Sequence, residues 1–171
     1  KTLNIALAGT GVGKSLFMCH AASNWLQDGK NVLYITLEMA EERIAERVDA
    51  NLMDVTIDDL HTMPKDMYES KMSKLQKKTI GKLIIKEYPT ASAHSGHFRA
   101  LLNELSLKKT FKPDVVFIDY LNICASSRFK GGNISSYFYI KAIAEELRGL
   151  AVEFDMPIFS ATQTTRSGFT S

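Results

Sequence analysis

Five short apolar runs alternate with amphipathic segments along the chain. Each run is rich in β-branched or aromatic residues and mostly lacks the apolar–polar alternation of a half-exposed strand, which is typical of strands covered on both faces. The runs occupy residues 3–8, 31–37, 82–88, 114–120 and 156–162. Strands separated by helices predict an α/β fold, with a mostly parallel central sheet, right-handed crossovers and helices on both faces.

The segments between these runs carry apolar residues at helical spacing. The first predicted helix stops at Asp28-Gly29, and Ser95 is the predicted N-cap of the fourth. The predicted helices lie at 16–26, at 39–52, between Pro64 and Gly81, at 98–105 and at 140–151.

Composition narrows the class of protein without identifying it. Hydrophobic residues make up 45% of the chain and charged residues 23%, which excludes a disordered or fibrous class. The net charge of +2 neither requires nor excludes a nucleic-acid partner. Cys19 and Cys124 lie far apart, so we expect reduced, buried thiols instead of a disulfide or a zinc site. With no membrane-spanning run and no signal peptide, the sequence predicts a cytoplasmic protein without membrane contact.

The two ends predict that the chain is part of a longer polypeptide. It enters a strand almost directly after Lys1 and stops in a polar stretch, 166–171, that has no closing element. A length of 171 residues suits one domain. We therefore expect residues 1–171 to form one core cut from a larger protein.

The first run leads into the sequence LAGTGVGKS, which fits the phosphate-binding pattern GxxxxGK[ST] except that Ala8 replaces its first glycine. Strand, glycine loop and helix follow one another as this motif requires. Glycines let backbone N–H groups point into one concavity, and the helix N-terminus adds positive charge. Lys14 is expected to reach the β- and γ-phosphates of ATP, and Ser15 to hold Mg²⁺. The predicted nucleotide-binding residues are Gly9, Thr10, Gly11, Val12, Gly13, Lys14, Ser15 and Leu16. The alternative is a glycine turn that ends in a surface lysine.

Polar side chains follow three later strands at the same predicted edge. Asp119 ends the fourth strand and is a predicted Mg²⁺ ligand, the alternative being a turn cap. Glu38 follows the second strand, where it would orient and deprotonate the attacking water or simply occupy the first turn of a helix. Gln163 follows the fifth strand and is a candidate γ-phosphate sensor or an ordinary loop residue.

A polar, basic loop at 126–136 follows Asp119. Its charge and glycine N–H groups suit a phosphodiester backbone, although most such loops are solvated connections. The aromatic residues 137–139 suggest base stacking, yet they begin a helix and at least one is expected in the core. The candidate DNA contacts in the loop are Arg128, Lys130, Gly131, Gly132 and Asn133.

Four segments together resemble a known family. The segments are LAGTGVGKSLFM, NVLYITLEMAEE, VVFIDYLNI and PIFSATQTTRSGF. In this order they are similar to the RecA-like P-loop ATPase domain of DnaB-type hexameric replicative DNA helicases, above all those of T-even-type phages. In that family, alanine at the position of Ala8 is a familiar variant.

The resemblance implies roles for matching positions. Lys14 and Ser15 match nucleotide- and metal-binding residues, and Glu38 matches the catalytic glutamate. Asp119 matches the Walker B aspartate. Gln163 matches the glutamine that links the γ-phosphate to DNA contact, so it is grouped with Lys14 and Glu38 as catalytic.

The resemblance also implies partners and missing parts. Arg166 matches an arginine shortly after that glutamine and is included among the candidate DNA contacts. Implied partners are single-stranded DNA, five further copies in a hexamer of the full-length protein, a primase and a helicase loader, in a bacterial or phage-infected cell. The chain lacks the family's N-terminal domain, linker helix and arginine-finger region, so alone it is expected to bind ATP–Mg²⁺ but hydrolyse it poorly.

Two other readings share this fold. One is a RecA-type recombination or repair ATPase, and the other is a nucleotide-dependent switch that does not contact DNA.

Overall fold

The computed structural model describes residues 2–9, 13–78, 80–126 and 136–164. The strands are β1 (Leu3–Gly9), β2 (Val32–Thr36), β3 (Leu83–Glu87), β4 (Val115–Asp119) and β5 (Ile158–Thr164). The α-helices are α1 (Lys14–Gln27), α2 (Glu41–Met53), α3 (Ile57–Thr62), α4 (Lys65–Gln76), α5 (Ser95–Lys109) and α6 (Ser136–Glu153). A 3₁₀ turn covers Leu121–Ile123.

The strands form one sheet in the order β1-β5-β4-β2-β3, and every pairing is parallel. The predicted α/β fold is therefore confirmed. Because the strands run the same way, their carboxyl ends meet at one edge. There Thr36 pairs with Asp119, and Gln163 pairs with Ala8.

The sheet is covered on both faces, which explains why its strands lack alternating polarity. One face packs Tyr34 and Phe117 against α1 and α2, which contribute Met18 and Ile44 among others. The opposite face packs the intervening residues of the same strands against apolar residues of α5 and α6. Successive side chains of a strand point to opposite faces, so each face has its own core.

Helix boundaries largely follow the predicted signals, with two differences. Gly29 has a φ of 80°, as expected where α1 stops. The N-cap of α5 is His94 and not Ser95, because the His94 Nδ1 accepts a hydrogen bond from the Gly96 N–H at 3.0 Å. The short helix α3 was not predicted; Thr56 caps it by accepting a hydrogen bond from the Asp59 N–H.

Both cysteines are free and buried, as predicted. Within the described part of the chain, no helix is long and apolar enough to cross a membrane.

Candidate nucleotide and metal site

The described members of the predicted phosphate-binding set are Gly9, which ends β1, and residues 13–16, at the start of α1. Gly13 has a φ of +23° and caps the helix, whose first residues are Lys14 and Ser15. Ser15 is buried, whereas Leu16 is exposed. Residues 10–12, which include three of the predicted binding residues, lie outside the described residues. β1 ends before these residues, and Gly13 and α1 follow them, which is the order of strand, glycine and helix that the motif requires.

Lys14 brings together two of the predicted site residues. Its Nζ lies 2.6 Å from Glu38 Oε2 and 3.5 Å from Asp119 Oδ1. The lysine side chain is 9% exposed and the aspartate is fully buried, whereas the glutamate side chain is 48% exposed. The ammonium also lies 4.1 Å from the centre of the Tyr120 ring. The Lys14 ammonium therefore lies between a buried and a solvated carboxylate at the start of α1.

Among the described residues, Asp119 accepts a hydrogen bond at one of its two oxygens. Its Oδ2 accepts a hydrogen bond from the Tyr34 hydroxyl at 2.9 Å. Its Oδ1 accepts no hydrogen bond from the described residues, although it faces Lys14. A buried, anionic oxygen of this kind is a ligand that Mg²⁺ prefers, and the Ser15 hydroxyl is a second oxygen nearby in sequence to Lys14. The donor set thus fits a hard divalent cation.

A layer of buried groups supports this aspartate. The Tyr34 ring stacks on Phe117 with 5.9 Å between ring centres, and the Cys19 thiol donates to the Tyr34 hydroxyl at 3.9 Å. Burial, then the charge of Asp119, raises the pKa of Tyr34 well above its usual value. Burial also raises the pKa of Cys19 to about 11. Both groups therefore remain protonated at neutral pH, as hydrogen-bond donors must.

Backbone contacts at the end of β2 fix the position from which Glu38 projects. The Leu37 N–H donates to the Asp119 carbonyl at 3.0 Å. The Thr36 hydroxyl donates to the Met39 carbonyl and accepts from the Met39 N–H, which closes a tight bend around Glu38. The peptide bond between Asp119 and Tyr120 is cis. Burial and then the Glu38 carboxylate raise the pKa of Tyr120.

Gln163 lies on the strand between the glycine-loop strand and the aspartate strand. Its backbone pairs with Ala8 at the end of β1. The neighbouring Thr162 hydroxyl donates to Asn122 Oδ1 at 2.9 Å, which links β5 to the 3₁₀ turn after β4. The side chain of Gln163 lies outside the described atoms, so its sensor role stays a prediction.

The candidate DNA contacts in the 126–136 loop and Arg166 lie outside the described residues. Of the aromatic residues that follow, Tyr137 and Phe138 are exposed. Tyr139 is half-buried against the core, and its hydroxyl accepts a hydrogen bond from the Ser126 N–H at 3.0 Å. Only one of the three therefore packs in the core.

Sequence reasoning missed Tyr34, Tyr120 and Thr36. Tyr34 lies within an apolar run, where a tyrosine looks like any other large core residue. The available signal was the register: Thr36 pairs with Asp119, and Tyr34 precedes Thr36 by two residues on the same face of the sheet. This register depends on the pairing of β2 with β4 in the tertiary structure and cannot be derived from a single sequence.

The DnaB-like helicase C-terminal domain family matches residues 1–169 of the chain. A DnaB-like replicative helicase of Enterobacteria phage T4 is 49% identical over 99% of this chain and 36% of its own length. A probable plasmid replicative DNA helicase of Chlamydia psittaci is 31% identical over 91% of this chain and 33% of its own. The chain thus spans about a third of the length of these curated relatives.

Solved structures support the fold. A DnaB-like replicative helicase, described with its interactions with primase, superposes with a TM-score of 0.75 at 18% identity, covering 100% of this chain and 40% of the other. A solved ATPase domain gives a TM-score of 0.76 at 17% identity over 99% of this chain and 60% of the other.

Proposed function

Because this chain belongs to the DnaB-like helicase C-terminal domain family, we propose that it is the ATPase motor domain of a replicative DNA helicase. The observation that carries the proposal is the contact of Lys14, at the start of α1, with both Glu38 and the buried Asp119. A glycine-loop lysine, a strand-end aspartate and an exposed glutamate are the groups that phosphoryl transfer to water requires.

Each of these residues has a separate task when ATP enters. The phosphates attract Lys14 and the N-terminal amides of α1, which draws the ammonium away from its carboxylate partners. Glu38 is then free to orient the attacking water and accept its proton. Asp119 Oδ1 and the Ser15 hydroxyl would hold Mg²⁺, which would neutralise phosphate charge when bound. The Lys14–Glu38 ion pair thus occupies the site only until nucleotide binds.

The remaining parts of the proposal concern the whole protein. We place this core in a hexameric ring that moves along single-stranded DNA, with the loop around Arg128 and Lys130 and the later Arg166 contacting phosphates. Gln163 would report the γ-phosphate to that loop. A solved DnaB-like helicase is described with primase, which supports a primase partner here; a helicase loader and a bacterial or phage-infected cell follow from the same family. The curated relatives described above are replicative helicases, which favours this function over recombination.

The test is Glu38→Gln in the full-length protein, assayed for nucleotide binding and for ATP hydrolysis with and without oligo-dT. We expect nucleotide binding to be retained and DNA-stimulated hydrolysis to fall by about 100-fold or more, because general base catalysis contributes about 10²–10⁴-fold. Glu42→Gln is the matched control, since Glu42 is exposed in the first turn of α2. Undiminished hydrolysis by Glu38→Gln would refute the role of Glu38 as the general base. An ATP hydrolysis rate of the parent protein that is the same with and without oligo-dT would refute the motor function.

A further inference from the structure

Tyr34 lies behind Asp119, and the proposed mechanism assigns no task to it. Tyr34 is fully buried on β2, an interior strand of the sheet, and its only polar side-chain atom lies against the strand-end carboxylate. A hydroxyl buried this deeply is costly unless it is paired. Here it is paired twice, since it donates to Asp119 Oδ2 and accepts from the Cys19 thiol.

These contacts fix the orientation of the carboxylate, so that one of its two equivalent oxygens faces the site. The hydrogen bond from Tyr34 engages Oδ2, so Oδ1 is the oxygen that faces Lys14. The tyrosine itself has little freedom, because its ring stacks on Phe117 at an interplanar angle of 13° and its hydroxyl meets Cys19. A partial rotation of the Asp119 carboxylate, which would turn its oxygen away from the site, would break its hydrogen bond with Tyr34.

We propose that Tyr34 is a positioning residue that holds Asp119 by Oδ2 so that Oδ1 would be available to bind Mg²⁺. This inference rests on the proposed function, because it assumes that Asp119 serves the metal. Groups that orient a metal ligand typically change metal affinity by about 10- to 100-fold when they are removed.

The experiment is Tyr34→Phe in the full-length protein, with binding of a fluorescent ADP analogue measured across a Mg²⁺ titration. We expect the half-saturating Mg²⁺ concentration to rise about 10-fold, whereas the affinity for ADP without metal stays within about twofold. Saturating Mg²⁺ should restore most of the ATPase rate. Tyr88→Phe is the control, because Tyr88 is a half-buried tyrosine that packs against the other core of the sheet.

The outcomes separate this inference from the proposed function. If Asp119→Asn raises the Mg²⁺ requirement and Tyr34→Phe does not, the positioning role is wrong while the function stands. If Asp119→Asn leaves the requirement unchanged, the metal site itself is wrong. Equal losses of ADP affinity with and without Mg²⁺ in Tyr34→Phe would show a merely structural residue. If Tyr34→Phe fails to fold, Cys19→Val is the second test, because it removes the donor to the tyrosine hydroxyl. This variant should also raise the Mg²⁺ requirement. An unchanged requirement would overturn the inference.

Discussion

Lys14 has two carboxylate partners, and distance and burial rank them in opposite order. Glu38 is nearer, with 2.6 Å between Nζ and Oε2, but its side chain is 48% exposed. Asp119 is farther, with 3.5 Å between Nζ and Oδ1, but it is fully buried. We expect burial to decide which pair stabilises the fold more, because water screens the exposed carboxylate.

The magnitudes follow from Coulomb's law. At 3.5 Å and an effective dielectric constant of about 20, the Lys14–Asp119 attraction is about 5 kcal/mol before desolvation. At 2.6 Å with a dielectric constant near that of water, about 80, the Lys14–Glu38 attraction is about 1.6 kcal/mol, and exposed pairs retain about 0.2–1 kcal/mol of this after side-chain entropy and salt. We therefore expect a coupling free energy of about 2–4 kcal/mol for Lys14–Asp119 and less than about 1 kcal/mol for Lys14–Glu38.

Two double-mutant cycles measure these coupling energies. One combines Lys14→Met with Asp119→Asn and the other combines it with Glu38→Gln, using urea unfolding of the nucleotide-free chain. In the first cycle, the second substitution should recover much of the stability that Lys14→Met loses, because an asparagine needs no counter-ion. Raising the salt concentration should weaken only the Glu38 coupling.

The exposed pair Lys65–Glu69, with 3.8 Å between Lys65 Nζ and Glu69 Oε1, provides a reference cycle. Its coupling should be about 0.3–0.5 kcal/mol, as for other pairs spaced four residues apart on a helix. A Lys14–Glu38 coupling as large as that of Lys14–Asp119 would refute the reasoning that burial outweighs distance.

Two further predictions test the fold around the site. Gly81→Ala should lower the free energy of unfolding by about 1–3 kcal/mol in urea titrations, because the new Cβ would lie 1.7 Å from the Lys30 carbonyl oxygen. Gly149→Ala is the control: its Cβ would meet open space in α6, so the free energy of unfolding should rise by about 0.5–1 kcal/mol. A Gly81→Ala variant as stable as the parent chain would contradict the close packing at this position. Burial raises the pKa of Cys124 from 9.0 to about 12 and that of Cys19 to about 11, so the native chain keeps protons that the unfolded chain releases. This contribution to the free energy of unfolding is complete below pH 9.0 and falls as pH rises towards 12. In unfolding titrations across this range in reductant, the free energy of unfolding of Cys124→Val should decline less steeply with pH than that of the parent chain. An unchanged slope would count against a buried thiol.

The strands and most helices were predictable because their signals are local. β2 and β4 are continuous apolar runs, and a strand buried on both faces permits little else. The apolar spacing of α2 and the Asp28-Gly29 stop of α1 were likewise readable. His94 was not predicted as a cap because histidine accepts a backbone hydrogen bond only in one tautomer and orientation, which a residue list does not contain.

The candidate site was predictable in part for a different reason. Asp119 ends a predicted parallel strand, Glu38 follows one, and Lys14 begins the helix after one. All three were therefore expected at the same edge of the sheet. Their pairing could not be predicted, because Lys14 was expected to point at phosphate and not at two carboxylates. Tyr34 could not be predicted as part of the site, since only strand register places it beneath Asp119.

Local sequence patterns were enough to predict the order along the chain of the strands and of every α-helix except α3, the glycine loop after the first strand and the chemical types that follow each strand. These depend on short-range periodicity and on backbone preferences that act within a few residues. Tertiary structure alone decided that Asp119 is fully buried, that Tyr34 holds one of its oxygens and that Lys14 lies between Asp119 and the exposed Glu38. Burial and electrostatic strength arise because strands far apart in sequence pack side by side, and each strand's own residues do not specify its neighbour.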